Sequence, residues 1–174
     1  MSNLLEINGL VARYDARQNV LNGISLYAAP TERIAVVGPS GSGKTTLFRA
    51  INGFVPAVSG SIRVAGIEVT RLRGAALRHL RSRIAVVSQR HDLVDELRVY
   101  QNVMAGALGR WSSLHALRFL LWPRANELAH AEAALKHVGL DHKLRVRTAG
   151  LSGGEHQRVA IARALVQDPY LMLA

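Results

Sequence analysis

The order of elements along this 174-residue chain predicts an α/β fold. Three observations carry that reading. Residues 33–37, Arg-Ile-Ala-Val-Val, are short, apolar and rich in β-branched side chains, as a buried strand of a parallel sheet is, and a glycine-rich turn and a helix follow them. Stretches of alternating polarity before and after this segment predict an antiparallel β-subdomain. Residues 97–167 are mostly helical in pattern, and after Pro169 residues 170–173 begin one more buried strand.

Residues 4–14 and 20–27 read as two strands joined by the polar turn 15–19. Ala29-Pro30-Thr31-Glu32 is a turn ahead of the 33–37 strand. Residues 46–53 read as a helix, with Leu47, Phe48 and Ile51 apolar and Gly53 as its stop. Residues 55–60 form a loop, and residues 61–69 alternate about Ala65-Gly66 as a small hairpin. Residues 71–80 read as a helix and 84–87 as another buried strand. The apolar stretch Leu114, Leu117, Phe119, Leu120, Leu121 and Trp122, closed by Pro123, is too short to cross a bilayer and contains His115 and Arg118, so it predicts a core or partner-facing helix.

A chain of this length is one domain and buries roughly 70% of its unfolded surface. With 49% hydrophobic residues it is globular, and without cysteine it has neither a disulfide framework nor a Cys-based zinc site. The N-terminus lacks a basic n-region and a long apolar h-region, and no apolar run reaches the ~18 residues of a membrane span. The expectation is a cytoplasmic protein. The formal charge is +10, almost all of it arginine. The arginines run from Arg13 to Arg163 without a dense block, which favours a scattered solvated surface over a nucleic-acid footprint.

Residues 38–45, Gly38-Pro39-Ser40-Gly41-Ser42-Gly43-Lys44-Thr45, fit G-x-x-x-x-G-K-[ST] between a strand and a helix beginning at Thr46. Glycines let the backbone bend sharply and approach phosphates, and the helix adds the positive end of its dipole. Lys44 is a point charge for the β- and γ-phosphates. The Thr45 hydroxyl is a hard oxygen ligand suited to Mg²⁺. Together these point to ATP with Mg²⁺.

Residues 151–155, Leu151-Ser152-Gly153-Gly154-Glu155, followed by Gln157-Arg158-Val159-Ala160-Ile161-Ala162-Arg163-Ala164-Leu165, resemble the signature motif of ABC-type ATPases. Small residues at a helix N-terminus expose amide hydrogens to an anion. The resemblance implies that Ser152, Gly153 and Gly154 touch the γ-phosphate of an ATP held by a second copy's phosphate loop. Glu155 stands where many members have Gln. It also implies that Gln89 is the Q-loop glutamine, reaching the Mg²⁺ and the attacking water with Lys44 as the other catalytic residue, and that Tyr14 stacks on adenine. Residues 102–122 are similar to the phosphonate-importer subfamily.

The family fold implied is a P-loop core, an antiparallel β-subdomain and a helical subdomain: residues 1–89 as core and β-subdomain, 90–165 as helical subdomain with the signature, and 166–174 returning to the core sheet. The implied function is the ATP-binding subunit of a bacterial importer, for phosphonate or a similar oxyanion. It would form a homodimer, work with an integral membrane permease and indirectly with a periplasmic substrate-binding protein, and lie peripherally at the cytoplasmic face of the inner membrane, without nucleic acid. The family's next residues after the 170–173 strand are a metal-side Asp and a water-polarising Glu. Their place lies beyond Ala174, so the C-terminal part of the core is expected to be missing and the chain alone inactive as an ATPase. The alternatives are a soluble ABC-type ATPase of DNA repair or chromosome maintenance, a P-loop kinase, and a non-catalytic gene remnant. Against the first, residues 44–151 carry neither coiled-coil heptads nor a Cys-based zinc insert; a kinase would leave Ser152 unexplained.

Overall fold

The computed structural model describes residues 3–14, 18–88 and 92–174. They divide into two compact units, Met1–Arg81 and Ser82–Ala174.

The N-terminal unit contains β1 (Leu5–Ala12), β2 (Leu21–Ala28), α1 (Lys44–Ile51), β3 (Ala57–Val64), β4 (Ile67–Glu68) and α2 (Gly74–Arg81). The strands form one antiparallel sheet in the order β2-β1-β3-β4. On the central strand Leu5 and Ile7 are buried, and then Leu10 and Ala12. The buried phase moves from odd to even positions, which a regular strand cannot do because its side chains alternate with period 2. A bulge between Ile7 and Leu10 makes the change, with Gly9 at φ 54°. Ala65 and Gly66 both have positive φ, as a two-residue hairpin turn requires, so the hairpin lies where the alternation placed it. Its first strand starts earlier than the sequence suggested, at Ala57 within the expected loop.

Residues 33–37 differ from expectation. They are not a strand, and Val37 is 91% exposed. Strand identity requires a paired neighbour. The sheet of this unit is built wholly from β1 to β4, so the β-branched run finds no ladder within it.

The C-terminal unit contains β5 (Ile84–Val86), α3 (Val99–Met104), α4 (Ser113–Leu121), α5 (Ala125–Lys136), α6 (Gly153–Val166) and β6 (Leu171–Leu173). β5 and β6 pair in parallel, Ile84 opposite Leu171 and Val86 opposite Leu173. Val99 and Val103 of α3, Ala131 and Leu135 of α5, and Val159, Ala162 and Val166 of α6 form one buried cluster. In α4 only Phe119 joins that cluster, against Trp111 and Tyr100; Leu114, Leu117, Leu121 and Trp122 point outward. The apolar stretch is thus a core helix at one position and an exposed one at the others.

Glu127 fastens α4 to α5. Its side chain is only 7% exposed and receives Arg118 Nη1 at 3.1 Å, Arg118 Nη2, the Arg124 amide at 2.7 Å and His115 Nε2 at 2.7 Å. Burial pushes its carboxyl up, but the bonds from Arg118, the Arg124 amide and His115 outweigh that and hold it at about 2. A depressed folded-state pKa contributes stability above the unfolded value, and that stability is lost as pH falls through the folded one. Thermal melting should therefore show a loss of stability between pH about 4.5 and about 2 that is smaller in Glu127→Gln, where the contribution of this carboxylate is gone and those of the other depressed carboxylates remain. At pH 7, Glu127→Ala should cost on the order of 3 kcal/mol in urea denaturation, because it leaves Arg118 without its carboxylate.

Candidate functional site

The two motifs fall on different units, residues 38–46 on the N-terminal one and residues 151–155 on the C-terminal one. Gly43 is the N-cap of α1 with φ 94°, and a Cβ there would lie 3.0 Å from Leu21 Cδ2 and 3.2 Å from the Val20 carbonyl oxygen. Backbone conformation and space both require glycine. The cap supplies no side-chain hydrogen bond, so the first amides of α1 stay uncapped. Lys44 folds back over the loop: its Nζ donates to the Gly38 carbonyl at 2.7 Å and the Pro39 carbonyl at 2.8 Å, with Ser42 Oγ at 3.4 Å. The Ser42 amide donates to the Pro39 carbonyl at 3.3 Å. Residues 38–42 and Thr45 are exposed, whereas Thr46 turns inward.

No carboxylate occurs between Glu32 and Glu68. Uncapped amides, one ammonium and exposed hydroxyls, free of competing negative charge, suit a polyanion. Thr45 offers a hard oxygen to Mg²⁺. Among the described residues no cluster of three or more His, Cys, Asp or Glu could hold a metal.

Tyr14 lies two residues beyond β1, 58% exposed, with its hydroxyl 3.4 Å from Thr46 Oγ1 and 3.5 Å from Arg49 Nη1. The hydrogen bond with Thr46, then Arg49, holds its phenol below the usual tyrosine range. The ring is therefore set beside the helix that carries Lys44 and Thr45.

In the other unit Ser152 is the N-cap of α6. Its Oγ accepts from the Glu155 amide at 3.4 Å, and Glu155 Oε2 accepts from the Ser152 amide at 2.8 Å. This reciprocal cap leaves the Gly153 and Gly154 amides outside it. Both glycines are exposed, and a Cβ on either would meet nothing within 4 Å. Glu155 also accepts from Lys143 Nζ. That bond, followed by the Ser152 amide, holds its carboxyl at about 2. His156 Nδ1 lies 3.0 Å from the Ser152 carbonyl oxygen, and its Nε2 3.5 Å from Asp95 Oδ1.

Gln89 lies outside the described residues, as does most of the 15–19 turn. Reading the sequence does not find Lys143, Arg49 or Asp95 as partners of the site, because each lies at least twelve residues from the group it touches. The Ser-x-x-Glu spacing of the cap is legible.

What these features define is a phosphate-loop α/β protein that carries a second, serine-capped motif with small residues on its helical unit. The sequence profile of the ABC transporter family matches residues 21–174. The chain is 44% identical to the "Phosphonates import ATP-binding protein PhnC" of Bordetella parapertussis, across 100% of this chain and 69% of that protein. It is 41% identical to "Phosphonates import ATP-binding protein PhnC 1" of Rhodopseudomonas palustris, across 98% and 60%. It superposes on the structure of cbiO1 from Clostridium perfringens, part of the ABC transporter complex cbiONQ, with a TM-score of 0.81 and 28% identity, covering 99% of this chain and 64% of that one. The chain belongs to the ABC transporter family. Its fold is the P-loop α/β fold of these ATP-binding cassettes. It spans between 60% and 69% of the length of the two phosphonate-import relatives.

Lys44→Ala removes the only full charge within the loop and its bonds to two carbonyls. MgATP affinity should fall at least ~10-fold, about 1.4 kcal/mol, by calorimetry. Tyr14→Ala should cost roughly 1–3 kcal/mol of ATP binding if the ring stacks on the base, with Tyr14→Trp tolerated.

Proposed function

We propose that the protein is the ATP-binding subunit of an importer, in which ATP held by the loop of residues 38–45 of one copy is closed over by residues 152–155 of a second. The carrying observation is the pair of exposed glycines at the start of α6. Neither Gly153 nor Gly154 has positive φ, and neither packs against anything a Cβ would displace. The fold therefore does not require glycine at these positions, and glycine there leaves room for close approach by an external group. The chemistry on offer there is two amides at the positive end of a 14-residue helix, which suits a phosphate.

In this reading Lys44 binds the β- and γ-phosphates, Thr45 ligates Mg²⁺, Tyr14 stacks on adenine, and Gln89 takes the Q-loop role. When bound, Mg²⁺ neutralises phosphate charge for hydrolysis. Closure of two cassettes and release after hydrolysis would drive an integral membrane permease by alternating access, with the subunit peripheral at the cytoplasmic face and a periplasmic binding protein delivering substrate. No helix among the described residues is long and apolar enough to cross a membrane. The names of the phosphonate-import relatives favour import of phosphonate or a similar oxyanion over a role on DNA.

Gly154→Ala tests this reading. Helix propensity makes the variant as stable as the parent or more so, by up to ~1 kcal/mol. ATP affinity of the monomer should stay unchanged, while ATP-driven self-association in sedimentation velocity falls at least ~10-fold. Association of the variant equal to that of the parent would refute a phosphate contact across two copies.

A further inference from the structure

We infer that Lys143 is a positioning residue that neutralises Glu155, so that a motif containing a carboxylate can still close over a nucleotide's phosphates. The inference rests on the proposed pairing of two cassettes and deepens it. Glu155 sits in the first turn of α6, beside the exposed amides of Gly153 and Gly154. An anion approaching those amides approaches a negative charge. The sequence therefore places, in one turn, groups that attract a phosphate and a group that repels it.

The structure resolves the conflict by occupying both carboxylate oxygens. Glu155 Oε2 accepts from the Ser152 amide at 2.8 Å, and Oε1 accepts from Lys143 Nζ. Lys143 is delivered by a short 3₁₀ turn, Asp141–Lys143, that begins five residues past the end of α5. That turn is tied at both ends: the Lys143 amide donates to the Leu140 carbonyl at 3.0 Å, and the Val146 amide donates to the Lys143 carbonyl at 3.0 Å. The ammonium is thus aimed at the carboxylate by backbone that is itself hydrogen-bonded, and its side chain is only 28% exposed. The lysine is also rare here. The chain has three, Lys44, Lys136 and Lys143, and two of them stand at the two phosphate motifs.

The low pKa of about 2, owed first to the Lys143 bond, agrees with this pairing, and the carboxylate stays charged at neutral pH. The adjacent His156 does not meet it, because its ring nitrogens face the Ser152 carbonyl and Asp95. Lys143 touches no phosphate in this account. It acts through Glu155.

The experiment is MgATP-dependent self-association of the whole chain by sedimentation velocity, at fixed low ionic strength, with ATP affinity of the monomer measured by calorimetry alongside. Lys143→Met should weaken association at least ~10-fold by uncovering one full charge beside the phosphates. Lys143→Arg keeps the charge and should stay within ~3-fold of the parent. Glu155→Gln, which keeps the bond to the Ser152 amide, should associate more tightly than the parent. The double variant Lys143→Met/Glu155→Gln should recover most of the loss, which a lysine needed only for folding would not allow. ATP affinity of the monomer resides in the other unit and should be level across the set. Lys143→Met associating like the parent would overturn the inference, as would a double variant no better than the single one. If the parent does not associate with MgATP, or Gly154→Ala associates as the parent does, the pairing of cassettes fails and the inference falls with it. A parent that associates, a Gly154→Ala variant that does not and an indifferent Lys143→Met would sink the inference alone.

Discussion

Backbone amides at the start of two helices are the constraint on which the site depends. A helix leaves its first amides without intrahelical partners, and something must meet them. At α6 a serine and a glutamate meet two of these needs reciprocally, and the Gly153 and Gly154 amides remain. At α1 the cap is a left-handed glycine with no side chain to offer, and Lys44 turns back onto the loop's carbonyls instead. One helix start is half-closed and neutral in balance, the other open and cationic. Both suit an anion by different means, and the proposed pairing of two copies would use one start from each.

The same bookkeeping of polar groups explains the charge of +10. With 22 basic side chains against 12 acidic ones, ten basic groups are in excess of the carboxylates. Several arginines also cap carbonyls, whether or not they hold a carboxylate as well. Arg81 donates to the Asn52 and Gly53 carbonyls just past α1, at 2.8 and 2.9 Å. Arg110 donates to the last residue of α6, Val166, at 2.8 Å, and Arg118 to the Trp122 carbonyl after α4 at 2.9 Å. Cations at helix C-termini satisfy orphan carbonyls and complement the dipole. The arginine excess is to this extent structural.

Local chemistry was legible in the sequence, and pairing across distance was not. The Ala65-Gly66 hairpin turn and the stop at Gly53 are each written within a few residues, and the structure has them where the sequence puts them. The bulge in β1 was not legible, because an alternation that changes phase at Gly9 looks like noise to a period-2 reading. Residues 33–37 failed in the opposite direction: their composition suits a central strand, but a strand is made by its neighbours. Glu127 and Glu155 show the third kind of limit. Each reads as an ordinary helix-start acid, yet Arg118 and His115 in one case, and Lys143 in the other, turn it into a hub.

The packing of α4 also decides how this molecule reports on itself. Both tryptophans belong to the C-terminal unit. Trp111 stacks on the His115 ring at 4.2 Å and meets Phe119 edge-on, while Trp122 is 72% exposed to water. Intrinsic emission is thus the sum of one sheltered, histidine-contacted indole and one solvated indole. Indole emission, excited at wavelengths that spare tyrosine, therefore reports from residues of the helical unit, whereas the β-sheet unit carries only the phenols of Tyr14 and Tyr27 as its own fluorophores.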